Sequence, residues 1–207
     1  MASALLFVPD PRRVLILGLG GGAMAHFFLH HFPDVSLTVI EREPQCVDIA
    51  HEFFSIPRRH RNLEIITGDA RDVAPRLGGK FDLIMLDLFL SHGPPAWLGA
   101  SDLFDACRAR MARQGILSAN FWAHPEDEEL TCLRGVSAAF GGRLLLIPVS
   151  GYRNVVALGF TPGFELDDLP SLRKRARDLS SRVGFDVGKW LEVIGKTNRR
   201  DGTRLVI

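Results

Sequence analysis

The chain has 207 residues, of which 46% are hydrophobic and 24% are charged. That length suffices for one substantial core and is short for two, so we expect one α/β domain over residues 1–162 with a helical extension, residues 163–207, packed on it. The formal net charge of +1 at pH 7 excludes a global field that would recruit nucleic acid or an anionic membrane.

Apolar runs rich in β-branched residues alternate with longer helical patterns along most of the chain. This alternation predicts βαβ units and a parallel sheet. The predicted strands are residues 13–18, 36–41, 63–67, 81–87 and 115–121. The helices predicted after them are residues 22–31, 44–55, a short one after residue 69, then 101–112 and 126–140.

The pattern changes after Gly141 and Gly142, where two predicted strands, 143–149 and 154–160, are separated by only four residues. Four residues cannot hold a crossover helix, so these strands form an antiparallel hairpin. Five βα units closed by such a hairpin are the layout of the class I methyltransferase fold. We therefore predict a Rossmann-like, mostly parallel sheet of seven strands in the order 3-2-1-4-5-7-6, with an antiparallel C-terminal hairpin and helices on both faces.

Two further helices are predicted beyond the hairpin, over residues 169–183 and 185–194. Together they make up the extension that packs on the domain. Residues from Lys196 onward carry no strong pattern, so we expect them to be loosely held.

A glycine-rich turn follows the first predicted strand and opens the first helix, with Gly18, Gly20, Gly21 and Gly22. Glycine permits positive φ and lets the backbone approach a ligand, since no Cβ stands in the way. Glu41 closes the next predicted strand, where its carboxylate can accept hydrogen bonds from both hydroxyls of a ribose. The turn also satisfies the dinucleotide fingerprint G-x-G-x-x-A, so an NAD site is an alternative.

Two features favour S-adenosylmethionine, or its decarboxylated form, over NAD as the cofactor. One is the closing hairpin. The other is Asp69 with Ala70 after the third strand, where a carboxylate can accept from the amino group of adenine. Asp69 also suits the role of N-cap for the helix that follows it. Asp87 ends the fourth strand, so four strand ends bring candidate residues to one edge of the sheet.

These motifs resemble those of the spermidine synthase family of aminopropyltransferases, and especially its shorter bacterial members. The similarity covers about residues 12–160 and includes the run at residues 119–122. The resemblance implies that Glu41 binds ribose, that Asp69 and Ala70 hold adenine, and that Asp87 takes the place of the family's catalytic aspartate.

The chain departs from the family pattern on the acceptor side. The family's fourth strand ends in D-S-x-D-P, whose second aspartate helps to hold the polyamine, whereas Leu90 occupies that position here. Gly21 stands where members usually have an acidic residue that helps to bind the donor's aminopropyl end. The N-terminal β-rich segment of true spermidine synthases is also expected to be missing. A cationic diamine favours carboxylate partners, so we expect the donor pocket to be kept and the polyamine pocket to be lost.

Methyl transfer and aminopropyl transfer are both displacements at a carbon attached to a sulfonium. The protein must align the nucleophile and exclude water, and a base is needed only for a nucleophile that arrives protonated. Asp87 is the candidate base. His92, on the loop after it, is a second candidate because histidine titrates near neutrality.

We therefore predict a transferase that carries a methyl or alkyl group to a small-molecule acceptor, with amines among the candidates. A genuine polyamine aminopropyltransferase that makes spermidine from putrescine is an alternative, and so is a non-catalytic nucleotide-binding or scaffold protein. Assembly into a homodimer is left open.

Cellular context and metal content follow from simpler features. Cys46, Cys107 and Cys132 are far apart and form no CxxC pair, which predicts neither a metal site nor a disulfide framework. The apolar start lacks a charged leader, and no apolar run approaches the roughly 20 residues of a membrane span. We expect a cytoplasmic protein that binds neither membranes nor nucleic acid.

Overall fold

The structure is a computed structural model that describes residues 1–89, 95, 97–100, 102–122 and 126–207. Within these residues one large sheet contains β1 Arg13–Leu17, β2 Ser36–Glu41, β3 Leu63–Thr67, β4 Phe81–Leu86, β5 Met111–Trp122, β6 Leu144–Pro148 and β7 Asn154–Phe160. Their order is β3-β2-β1-β4-β5-β7-β6, as predicted. Strands β1 to β5 are parallel, and β7 runs antiparallel to both β5 and β6. The seven-stranded class I methyltransferase layout is thereby confirmed.

The helices of the described residues are α1 Ala23–His31, α2 Pro44–Phe53, α3 Ala70–Val73, α4 Leu103–Ala109, α5 Glu126–Ala139, α6 Leu169–Val183 and α7 Gly188–Thr197. Local chemistry sets several of their ends. Pro44 occupies the first turn of α2, where no backbone N–H is required. The Asp168 carboxylate caps α6 by accepting from the Ser171 N–H at 2.9 Å, and Gly184 ends that helix with φ 78°. No helix in the described ranges is long and apolar enough to cross a membrane.

Both faces of the sheet are covered, as the nearly continuous burial of β1 and β4 requires. Successive residues of β1 point to opposite faces, with Val14 and Ile16 in one cluster and Leu15 and Leu17 in the other. The first cluster takes in side chains of α1, α6 and α7, and the second takes in side chains of α3, α4 and α5. The two C-terminal helices therefore share their core with the sheet.

The predicted boundaries fail most clearly around β5. The sequence pattern extends the preceding helix to residue 112, whereas α4 ends at Ala109 and β5 begins at Met111. Met111 pairs with Phe81 and is only 5% exposed. Burial against the sheet thus outweighs the local helical pattern, as it commonly does at element ends. Helix α7 is likewise shifted three residues towards the C-terminus, and it begins only after Val187, whose N–H donates to Ser180 Oγ at 3.0 Å.

The expectation that residues from Lys196 onward are loosely held is wrong. The Asn198 side chain donates from Nδ2 to the Leu146 carbonyl and accepts at Oδ1 from the Leu146 N–H, both at 2.8 Å. Because β6 is the edge strand, this amide replaces the peptide group of a missing neighbour. A short hairpin, β8 Arg200–Asp201 and β9 Arg204–Leu205, follows, with Leu205 buried. A single polar side chain carries no periodic signal, so the pattern could not reveal this anchor.

Candidate nucleotide-binding site

A cavity of about 370 Å³ lies at the carboxyl edge of the sheet, where β1, β2, β3 and β4 end. Residues of all four strand ends line it, together with others from α1, α2 and the segment after β4. They include Gly18, Gly20, Gly21, Glu41, Cys46, Asp69, Ala70, Asp87, Leu88, Phe89, Pro95 and Trp97. Parallel strands bring their carboxyl ends to one edge, which is why residues distant in the sequence meet here.

Position 18 needs a glycine because of its own backbone conformation and because the backbone of Asp87 lies close to it. Its φ is +95°, and a Cβ at this position would lie 2.4 Å from the carbonyl oxygen of Asp87. The Asp87 N–H in turn donates to the Leu17 carbonyl at 2.9 Å, which holds the two strand ends together. Gly20 has φ +50°, and a Cβ there would meet no atom within 4 Å, so this glycine borders open space on the cavity side.

The last two glycines of the turn contact the segment that follows α2. A Cβ on Gly21 would lie 3.3 Å from the Phe54 ring, and Gly21 also lines the cavity. A Cβ on Gly22 would lie 2.5 Å from the Ile56 side chain. Gly22 therefore packs against the core. The sequence pattern grouped it with the ligand-contacting glycines, but the structure explains a glycine at this position by the Ile56 side chain beside it.

The Glu41 carboxylate is fixed by two backbone donors. Oε2 accepts from the Leu19 N–H at 2.8 Å, and Oε1 accepts from the Glu43 N–H at 2.9 Å. A carboxylate has about four lone-pair positions, so two remain for a ligand once the donors among the described residues are counted. Because Leu19 belongs to the glycine-rich turn, Glu41 both shapes that turn and presents acceptor positions to the cavity.

Asp69 serves as the N-cap of α3, as one of the two interpretations predicted. Its Oδ1 accepts from the Arg71 N–H at 2.9 Å. The Arg71 side chain donates to both carboxylate oxygens, and this hydrogen bonding holds the pKa of Asp69 below its usual range. Asp69 and Ala70 also line the cavity, so capping and ligand contact are compatible at this position. The importance of Arg71 was missed from the sequence.

Asp87 is held by a chain of two side-chain amides. Its Oδ1 accepts from Asn120 Nδ2 at 2.9 Å, and the Asn120 oxygen accepts from Asn154 Nδ2 at 3.1 Å. The three residues come from β5, β7 and the end of β4, which are neighbours in the sheet. His92, the second predicted catalytic residue, lies outside the described residues, as does Leu90.

Cys46 is a cavity residue that the sequence analysis did not connect with the site. It follows the start of α2 and lines the cavity beside Glu41 and Glu43. Burial and the negative charges of those two carboxylates raise the pKa of the Cys46 thiol. A thiol kept neutral in this way is a poor nucleophile, since the thiolate is the reactive form.

No cluster of three or more His, Cys, Asp or Glu side chains suited to a metal ion occurs among the residues that the structure describes. Glu41, Asp69 and Asp87 each accept at least one hydrogen bond from a backbone or side-chain donor.

No family model matches the chain. A polyamine aminopropyltransferase of Chromobacterium violaceum is 28% identical to it over 207 residues, which cover 100% of this chain and 79% of that protein. A polyamine aminopropyltransferase of Neisseria meningitidis is 28% identical over 203 residues, which cover 98% of this chain and 77% of that protein. The chain is thus similar to polyamine aminopropyltransferases along its whole length.

The chain is also similar to methyltransferases. The human eEF1A lysine and N-terminal methyltransferase is 26% identical over 148 residues, covering 65% of this chain and 21% of that protein. The structure of human methyltransferase-like protein 13 in complex with SAH has a TM-score of 0.73 at 21% identity, covering 89% of this chain and 86% of that one. A spermidine synthase in complex with the transition state analogue AdoDATO has a TM-score of 0.71 at 18% identity, covering 98% and 71%. These structures confirm the fold.

Proposed function

We propose that the chain is a spermidine-synthase-like transferase that binds S-adenosylmethionine, or its decarboxylated form, in the cavity and transfers a methyl or alkyl group to a small-molecule acceptor. One observation carries the proposal: Glu41 and Asp69, at the ends of neighbouring strands, line a single cavity with the glycine-rich turn. This arrangement suits the hydroxyls of a ribose and the amino group of an adenine. Relatives whose names or complexes indicate such donors support it.

The residues of the cavity fit the parts of an adenosyl donor. Glu41 has two free acceptor positions for two ribose hydroxyls. Ala70 begins α3, and the first N–H groups of a helix have no partner within the helix, so its N–H suits a ring nitrogen of adenine. Gly20 leaves room for the part of the donor nearest the backbone, since a Cβ there would meet no atom within 4 Å. When bound, the donor supplies a sulfonium whose attached carbon is open to displacement.

The two candidate cofactors differ in the tail attached to the sulfonium: S-adenosylmethionine carries a carboxylate there, and its decarboxylated form does not. Gly21 contributes a backbone N–H and no carboxylate at the position where the family usually has an acidic residue. A carboxylate at that position would favour a tail that carries only an ammonium group, whereas a backbone N–H favours a tail with its own carboxylate. We therefore propose S-adenosylmethionine as the preferred donor and methyl transfer as the preferred reaction.

Asp87 is the proposed group at the acceptor. It lines the cavity beside Leu88 and Phe89, and its Oδ1 is held by Asn120. The acceptor positions that no described residue uses would bind the N–H or O–H of an incoming nucleophile and receive its proton. The apolar neighbours would exclude water from the displacement. His92 remains a candidate base from the sequence alone.

Calorimetric titration with S-adenosylmethionine, decarboxylated S-adenosylmethionine, 5′-methylthioadenosine and NAD tests the donor proposal. We expect binding of the three adenosyl compounds, with S-adenosylmethionine tighter than its decarboxylated form, and none of NAD. Asp69→Asn should weaken binding, whereas Glu52→Gln, an exposed residue outside the cavity lining, should leave it unchanged. Failure of all three adenosyl compounds to bind would reject the proposal.

A genuine aminopropyltransferase is the second candidate, and similarity to polyamine aminopropyltransferases along the whole chain favours it. Incubation with putrescine and decarboxylated S-adenosylmethionine should then yield spermidine, and Asp87→Asn should abolish the product. Methyl transfer from S-adenosylmethionine without spermidine formation supports the first candidate. Tight donor binding without turnover of amine, hydroxyl or carboxylate acceptors indicates a non-catalytic binding protein.

A further inference from the structure

Arg71 makes an unusually complete set of contacts with Asp69. Its backbone N–H and Nε donate to Oδ1 at 2.9 and 3.0 Å, and Nη2 donates to Oδ2 at 2.7 Å. The carboxylate thus has a single charged partner on both oxygens. This geometry fixes the plane and the rotation of the Asp69 side chain, since a planar guanidinium that binds both oxygens tolerates little rotation.

Counting acceptor positions shows what this pairing leaves for a ligand. Of the roughly four lone-pair positions of the Asp69 carboxylate, Arg71 uses both on Oδ1 and one on Oδ2. No other residue that the structure describes donates to this carboxylate, so one position on Oδ2 remains. The lowered pKa of Asp69 keeps the group ionised and therefore without a proton to donate. A ligand can satisfy that position only with a single N–H or O–H donor.

Arg71 also contacts a second residue of the cavity lining, Trp97. Its guanidinium carbon lies 4.4 Å from the centre of the Trp97 ring, which is a cation–π contact. Trp97 lines the cavity and belongs to the part of the chain that follows Asp87. One side chain therefore joins the Asp69 end of the cavity to the segment after β4.

We propose, resting on the adenosyl-donor function above, that Arg71 is a positioning residue for base recognition. It directs the remaining acceptor of Asp69 at the 6-amino group of the purine and holds Trp97 as a wall of the cavity. A 6-oxo purine places a carbonyl oxygen where the amino group of adenine would stand, so its oxygen would face the ionised carboxylate. Arg71 therefore sets both the affinity for adenine nucleosides and their preference over 6-oxo nucleosides.

The opposite role for Arg71 is as a competitor that occupies Asp69 until a ligand displaces it. The two roles differ in sign. If Arg71 competes, its removal frees the carboxylate and tightens binding. If it positions, its removal leaves Oδ1 of Asp69 with the backbone N–H of residue 71, leaves Oδ2 without the guanidinium that fixed it, and leaves Trp97 without its cation, so binding weakens and discrimination is lost.

Calorimetric titration with 5′-methylthioadenosine and 5′-methylthioinosine distinguishes these roles. We expect Arg71→Ala to weaken 5′-methylthioadenosine by roughly tenfold, from the loss of a partly exposed charged hydrogen-bond pair and a cation–π contact. We also expect it to reduce the ratio of the two affinities. Arg71→Lys, which keeps the charge without the planar fork, should not restore the ratio. Arg58→Ala, which removes an exposed arginine paired with Asp48 at 3.8 Å and outside the cavity lining, is the matched control.

The outcomes separate this inference from the donor proposal. Wild-type protein that binds no 5′-methylthioadenosine defeats the donor proposal, and the inference with it. Wild-type binding that Arg71→Ala leaves unchanged or tightens overturns the inference alone. So does an equal loss for both nucleosides, because general damage to α3 would weaken them alike.

Discussion

Replacing Asn154 by Asp should impair transfer more than replacing it by Ala, although Asp is the closer isostere. Asn154 donates to the Asn120 oxygen, which orients the Asn120 amide so that its NH₂ group faces Asp87. A carboxylate at position 154 can only accept. In one orientation of the Asn120 amide, its oxygen then faces the carboxylate at position 154. In the flipped orientation, the same oxygen faces the carboxylate of Asp87 instead, and the bond from Asn120 to Asp87 is lost.

The sizes of these effects follow from the two hydrogen bonds. The 2.9 Å bond from Asn120 to Asp87 involves a charged acceptor, for which about 1.5–3 kcal/mol is typical, and partial exposure reduces this to about 1–2 kcal/mol. At about 1.4 kcal/mol per tenfold, Asn120→Ala should lower kcat by roughly 5- to 30-fold. Asn154→Ala loses only a neutral 3.1 Å bond to a partner that water can satisfy, so we expect a loss of about threefold or less. Asn154→Asp should lower kcat at least as much as Asn120→Ala.

The assay measures kcat at saturating donor, with the acceptor that wild-type protein turns over, alongside the dissociation constant of the donor. We expect the donor constant to stay within about twofold of wild type in all three variants, because neither asparagine lines the donor cavity. The side-chain amide resonances of Asn120, assigned by their loss in Asn120→Ala, should shift in Asn154→Asp and give a readout independent of turnover. Equal effects of Ala and Asp at position 154 on both kcat and these resonances would refute the reasoning.

Three other predictions concern the cavity and the C-terminal anchor. Glu41→Gln places an NH₂ group against one of the two backbone N–H groups that the carboxylate now accepts from, such as that of Leu19. The affinity for the adenosyl donor should therefore fall by about 30-fold or more in a titration. An unchanged affinity would show that Glu41 does not take part in binding. Iodoacetamide should modify Cys46 slowly at pH 7.5, because the pKa of this thiol is raised. For the same reason the rate should keep rising above the pH at which an ordinary thiol has titrated. Bound 5′-methylthioadenosine should protect Cys46 from the reagent, and the Cys46→Ser variant identifies the labelled site. Asn198→Ala removes both bonds to Leu146 and should lower the free energy of unfolding by about 2 kcal/mol in urea titrations, whereas a change below about 0.5 kcal/mol would show that the anchor is dispensable.

Most of the fold could be predicted because its signals are periodic and local. The β-branched runs, the helical patterns between them and the short predicted connection before β7 indicated five βα units closed by a hairpin. That layout carried the prediction of the strand order, which the structure has. The ends of elements were less predictable. Met111 belongs to β5 because it meets Phe81 on the neighbouring strand, and a window of sequence contains no information about that neighbour.

Part of the candidate site could be predicted for a similar reason. Gly18, Glu41, Asp69 and Asp87 each stand at the end of a predicted strand, and parallel strands must bring those ends together. Gly22 has the same local signal as Gly20, yet a Cβ on Gly22 would meet the Ile56 side chain, whereas a Cβ on Gly20 would meet no atom within 4 Å. Local spacing cannot separate a glycine that makes room for a ligand from one that makes room for a side chain.

The sequence by itself determined which residues end the strands, and hence that a glycine turn and three carboxylates share one edge of the sheet, because strand direction and period are properties of the chain. Only the tertiary structure decided how those carboxylates are held. Arg71 bridges Asp69 and Trp97, and Asn154 orients Asn120 towards Asp87. Such pairings depend on the separation of side chains from different elements, and a few tenths of an ångström and the direction of one N–H decide whether the bond exists.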